Sequence, residues 1–134
     1  MSSTTYLVDT NVLSGLARPR PDHRVVAWAR TVVRVSLSVL TLEEIHFGLA
    51  WPPSARVQAW FDAFLSEHCE IRPVTVEIAA AAGRLRGTLA ARGVSRTQAD
   101  MLIAATAQVE RLTLATRNAH DFNDCGIALL DPFR

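Results

Sequence analysis

The chain has 134 residues, 49% of them hydrophobic, and a formal net charge of +1. This is enough apolar material for one domain with a real core spanning residues 1–134, and no run approaches the roughly 18 apolar residues of a membrane span. All fourteen basic residues are arginine, and the absence of lysine excludes P-loop, Schiff-base and lysine-assisted aspartyl-phosphate chemistry.

The start, Met1-Ser2-Ser3-Thr4-Thr5, carries neither the basic segment nor the apolar stretch of a secretion signal, so a cytoplasmic location is expected. A strand is predicted near 5–8, helices within 12–30, a strand near 35–39 and helices across 42–67. A short extended piece follows near 70–74, then helices near 76–92 and 98–110, a strand near 112–115, a short helix after Asn118 and a last strand near 127–130. Such alternation predicts an α/β fold with a parallel sheet covered by helices on both faces. Val57, Trp60, Phe61, Phe64 and Leu65 fall on one helical stripe, as do Ile78, Ala82, Leu85 and Leu89, so both helices face the core. Pro52-Pro53 stops one helix, Gly93 sits just past the end of another, and Pro19 and Pro21 straddle a turn. The 98–109 helix is apolar almost all round, which makes it the central buried helix with Asp100 at its mouth. Cys69 and Cys125 are far apart, with no C-x-x-C and no histidine pair, so neither zinc nor a disulfide framework is indicated. Both read as inert core or surface thiols.

Polar residues recur where apolar strands run out. Asp9 follows Tyr6-Leu7-Val8, Glu44 lies beyond Val35–Val39, Asp100 opens the central helix, and Asn118 follows Leu112–Ala115. In a parallel sheet these positions share one physical edge, outside the carboxyl ends of the strands, where ligands bind. Each has a plainer explanation as a helix cap. Thr41-Leu42-Glu43-Glu44 fits a capping box, Thr97-Gln98-Ala99-Asp100 fits its aspartate version, Asn118 and Asp121 fit a cap with a third-position acid, and Asp9 can cap the helix after it. Together they are harder to dismiss. Three crowded carboxylates raise one another's pKa unless a divalent cation neutralises them, and all-oxygen ligands without histidine or cysteine suit Mg²⁺ or Mn²⁺.

Four segments, Leu7–Ser14, Ser38–Glu44, Ala99–Ala107 and Leu114–Asn118 with Asp121-Phe122, resemble in family order the four motifs of PIN-domain proteins. They span nearly the whole chain, and the ending Leu130-Asp131-Pro132-Phe133 is similar to that of the VapC and FitB-type toxins. The resemblance implies a three-layer α/β/α sandwich with a mainly parallel sheet of four to five strands. It also implies a Mg²⁺- or Mn²⁺-dependent endoribonuclease leaving 5′-phosphate and 3′-hydroxyl ends, a homodimer, and a small VapB-like antitoxin through which alone the protein meets DNA. Asp9 and Asp100 match the principal metal ligands and Glu44, rather than Glu43, the acid of the second motif. The fourth position, an acid in some relatives, is Asn118. Its amide oxygen can ligate or bind water but brings no charge, which puts a second metal in doubt. Asp121 reads as a capping or surface acid. Arg117 is the expected substrate-facing cation, with Thr10 and Asn11 beside it shaping the turn that carries Asp9. Arg18, Arg20, Arg24, Arg30 and Arg34 form one basic segment and Arg84, Arg86, Arg92 and Arg96 another, either phosphate grips or solvated faces. Trp28, Trp51 and Trp60 read as core or interface residues. Two other readings stay open: another metal-dependent phosphoesterase, against which the Asp9-Thr10-Asn11 start without lysine counts, and a non-catalytic module that only binds an antitoxin.

Overall fold

The computed structural model describes residues 4–134; the expectation of a leaderless start concerns in part Met1–Ser3, which lie outside the described residues. Five parallel strands form one sheet in the order β3-β2-β1-β4-β5. These are β1 (Tyr6–Val8), β2 (Val35–Ser38), β3 (Cys69–Arg72), β4 (Thr113–Ala115) and β5 (Leu129–Leu130). Between them run α1 (Thr10–Leu16), α2 (His23–Ala29), α3 (Val39–Ala50), α4 (Ala55–Glu67), α5 (Val76–Ala91), α6 (Gln98–Glu110) and a 3-10 helix, Ala119–Cys125.

Successive strand residues point to opposite faces, and the core splits accordingly. Leu7 and Leu114 join Ile78, Leu89, Met101, Ala104 and Phe122 under α5, α6 and the 3-10 helix. Val8 and Ala115, one residue on in each strand, join Val12, Leu13, Val25, Ile45, Phe61 and Phe133 under α1 to α4. The result is the expected three-layer sandwich with the sheet buried on both sides. Helix α6 is the central helix the sequence predicts, burying Met101, Ile103, Ala104, Ala105, Thr106 and Ala107.

One local expectation is corrected. Helix α3 begins at Val39, because Ser38 both ends β2 and caps the helix, its hydroxyl accepting from the Leu40 N–H at 3.1 Å. That places Thr41 inside the helix and Glu44 in its second turn, so the Thr41–Glu44 capping box does not form. Of the two readings left open for the tryptophans, core or interface, the core one is removed for Trp51, which is 73% exposed, while Trp28 and Trp60 are partly buried. Gly93 is confirmed just past α5, with φ +79°, a conformation glycine adopts without a Cβ clash. Both thiols are buried and free. Among the described residues no helix is long and apolar enough to cross a membrane.

Candidate active site

The strand order places β1 at the centre, with β2 on one side and β4 on the other. Connections from neighbouring strands diverge there, and the crevice this opens at the carboxyl edge is the favoured ligand position in open α/β sheets. Asp9 lies at its centre. Its N–H donates to the Ala115 carbonyl at 2.9 Å, extending the β1–β4 ladder by one residue. Its carboxylate then turns outward, one oxygen accepting from the Thr10 N–H and the other from the Thr116 hydroxyl, both at 2.9 Å.

Thr116 is completely buried and holds three partners. Besides donating to Asp9, its hydroxyl accepts from the Asn118 N–H at 3.1 Å and the Asn11 side-chain amide at 3.4 Å. Asn11 returns the tie, accepting from the Arg117 N–H at 3.0 Å. Thr10 and Asn11 therefore fix the turn that carries Asp9, as expected, and in addition lock it to the β4 turn. Thr10 further donates its hydroxyl to Glu44 at 3.2 Å. Thr116 escaped sequence reasoning because a neutral hydroxyl inside an apolar strand end has no signature of its own.

Asp9, Glu44, Asp100 and Asn118 line one polar cleft of about 440 Å³, together with Thr10, Asn11, Arg18 and Arg117. The structure thus gathers every residue expected at the site. Asp121 stands outside that lining, near enough for its charge to act on Asp9. The second basic segment points elsewhere, with Arg96 paired to Asp124 at 3.6 Å, and in the first Arg24 is paired with Asp22 at 2.9 Å. The more apolar hollows between other elements are smaller, at about 200 and 250 Å³, and neither holds these carboxylates.

The capping explanations separate here. Asp9 does cap α1, while Thr97 caps α6 by accepting from the Asp100 N–H at 3.1 Å. Among the described residues the Asp100 carboxylate makes no hydrogen bond, and Asn118 makes no side-chain cap. Glu44 lies beyond the first turn of α3. Three of the four groups thus face the cleft without a capping bond. Burial raises the pKa of Asp9 above its ordinary 3.8; the Thr116 and Thr10 hydrogen bonds oppose this, and the charges of Asp100 and Asp121 add to it. Glu44 is an exposed residue, yet partial burial of its carboxyl raises its pKa too, opposed by Thr10 and reinforced by Asp9, Asp100 and Glu43. Like charges with unspent oxygen donors suit a hard divalent cation. Among the described residues no three His, Cys, Asp or Glu side chains close around a point as a ready-made cage, so water and substrate oxygens would have to complete any shell.

A five-stranded parallel sheet with an acid-lined crevice at its central strand defines a class of α/β domains with a polar site at the carboxyl edge. The family profile described as PIN domain matches residues 6–126, and the chain belongs to the PIN-domain family. It is 32% identical to Toxin FitB of Neisseria gonorrhoeae over 95% of this chain and 97% of that protein. It is 29% identical to VapC ribonuclease Y4jK of Sinorhizobium fredii, over 95% and 96%. Among solved structures, VapBC2 from Rickettsia felis, bound to a DNA fragment from its promoter, superposes with a TM-score of 0.83 at 25% identity, covering 95% of this chain and 98% of that one.

Proposed function

We propose that this protein is the toxin of a VapBC-type toxin–antitoxin pair and acts in the cytoplasm as a Mg²⁺- or Mn²⁺-dependent endoribonuclease. The observation that carries the reading is the convergence of Asp9, Glu44 and Asp100 with Asn118 in one cleft flanked by Arg18 and Arg117. The names of its relatives, a toxin and a ribonuclease, point the same way.

Asp9 and Asp100 would hold the cation, with Glu44 binding through water. When bound, such an ion polarises the scissile phosphate and lowers the pKa of water at the site. The chain's own residues do the rest. Thr116 fixes one oxygen of Asp9 and Thr10 the other backbone-facing one, so the second, cleft-facing lone pairs keep a single direction. Glu44, with its raised pKa, can accept a proton from attacking water. Asn118, its N–H held by Thr116, offers an amide oxygen to orient that water. Arg117 brings the charge that draws a phosphodiester in.

Kinship with VapBC assemblies supports an antitoxin partner, and one such assembly is bound to a fragment of its promoter DNA. An apolar hollow of about 200 Å³ between α1, α2 and α4, lined by Leu13, Leu16, Trp28, Trp60 and Phe64, would receive its apolar side chains. The Trp28 indole N–H there is buried without a partner among the described residues. A homodimer accounts for Phe47 and Trp51, 69% and 73% exposed at the end of α3.

One observation favours a second reading. Asn118 contributes no charge, so a module that binds its antitoxin without cutting RNA is the alternative. Purified protein freed of antitoxin, incubated with a pool of structured RNAs in Mg²⁺, in Mn²⁺ and in EDTA, decides between them. Discrete metal-dependent cuts that vanish in Asp9→Ala establish the nuclease. Intact RNA across several pools, from folded protein that shows no metal binding by calorimetry, supports the module.

A further inference from the structure

We infer that Phe133 is a positioning residue of the cleft: seated on Gly15, its ring holds the Arg117 guanidinium by its face and leaves the guanidinium edge free for an RNA phosphate. This rests on the nuclease reading above and adds a residue that the chemistry itself does not touch.

The Arg117 guanidinium carbon lies 4.3 Å from the centre of the Phe133 ring, well within cation–π range. The ring is only 5% exposed and packs in the core beneath the cleft wall. It reaches that place because Gly15 has no side chain: a Cβ there would stand 2.7 Å from the Phe133 Cζ. From below, the tail is fixed by Asp131, whose carboxylate accepts from the Phe133 N–H at 2.9 Å just after β5 ends. From above, Asn11 fixes the Arg117 backbone. Both ends of the Arg117 side chain are thus held, by groups that take none of its guanidinium donors.

That last point carries the argument. An arginine held by a carboxylate spends its in-plane N–H donors on the partner, as Arg24 does on Asp22. Among the described residues Arg117 makes no ion pair, although it borders a cleft with three carboxylates. A ring face orients the cation through its quadrupole and leaves the fork of donors for bidentate contact with phosphate oxygens.

The test measures RNA binding in EDTA and cleavage in Mn²⁺ for Arg117→Ala, Phe133→Leu, Phe133→Tyr and the Arg117→Ala/Phe133→Leu double variant, each with a melting curve. Arg117→Ala should weaken binding roughly tenfold and lower the slope of log affinity against log salt by about one. Phe133→Leu should raise KM roughly three- to tenfold with kcat within about twofold, the signature of lost positioning for binding. Phe133→Tyr, which keeps the ring, should behave as the parent. The double variant should be no weaker than Arg117→Ala alone. Should Phe133→Leu fail to fold, Gly15→Ala displaces the same ring and is expected to weaken binding alike. Additive losses in the double variant, or normal binding by folded Phe133→Leu, overturn the inference and leave the nuclease reading standing. Failure of the parent protein to bind RNA at all overturns both.

Discussion

Thr116→Val tests whether the buried hydroxyl organises the site. The change is nearly isosteric at a fully buried position, so packing is conserved and the effect falls on hydrogen bonds. Asp9 loses a donor, and the Asn118 N–H and the Asn11 amide lose an acceptor. A hydrogen bond to a charged group contributes about 1.5–3 kcal/mol, and a buried N–H left unpaired costs about 1–3 kcal/mol. Relaxation of the exposed Asn118 loop offsets part of this, so a net loss on the order of 2–4 kcal/mol is expected. For a domain of this size that lowers Tm by about 6–15 °C. The pH dependence adds a second, independent readout. The Asp9 pKa is already raised in the folded state, so the folded chain binds the extra proton and stability falls as pH rises from the unfolded value through the folded one. Below the unfolded value the penalty is absent, and above the folded value it is complete. Without Thr116 the folded pKa moves further up, so the variant's deficit should be smallest in acid and grow towards neutral pH, while the acid limb of the activity profile moves to higher pH. Urea unfolding at several pH values, beside a cleavage profile, reads both. A variant within about 0.5 kcal/mol of the parent at every pH, with an unmoved acid limb, would refute the proposed role.

Asp100→Asn should leave Tm within about 1 kcal/mol equivalent of the parent, since its carboxylate makes no capping bond, while cleavage falls by at least about a hundredfold; a large Tm loss without metal would restore the capping explanation. Mn²⁺ at about one hundred times its Kd should stabilise the parent by about 2.7 kcal/mol and leave Asp100→Asn much less affected, read by melting with and without EDTA. Leu114→Ala, at a completely buried position of β4, should cost about 2–5 kcal/mol by urea titration, and a smaller loss would mean that the core collapses around the gap. Gly93→Ala should cost about 1 kcal/mol, because φ +79° strains any side chain there.

Much of the architecture is legible in the order of residues because strand and helix patterns are local. Asp9 and Asp100 stand out for the same reason: a carboxylate beside an apolar run is conspicuous. What escapes is whatever depends on contacts across the sheet. Thr116 becomes informative only once β4 lies against β1 and three polar partners meet its hydroxyl. The start of α3 is misplaced because Thr41 imitates a cap, whereas Ser38 serves both strand and helix and leaves no loop to mark the boundary. Core and interface cannot be told apart for Trp51 from the sequence, because hydrophobicity favours burial but does not say against what. The stack of Arg117 on Phe133 joins residues from different elements through a hole that only Gly15 leaves.

The central place of β1 between β2 and β4 has a consequence for how the protein comes into being. Asp9 and Glu44 arrive with the first strands, whereas Asp100 arrives with α6 and Thr116, Arg117 and Asn118 follow β4, which must pair on the far side of β1 before the cleft exists. The sheet is therefore joined out of chain order, and an early portion of the polypeptide carries Asp9 on an open edge without Asp100, Thr116, Arg117 and Asn118. If the chain acts as proposed above, this topology withholds cleavage until synthesis has passed the fourth strand.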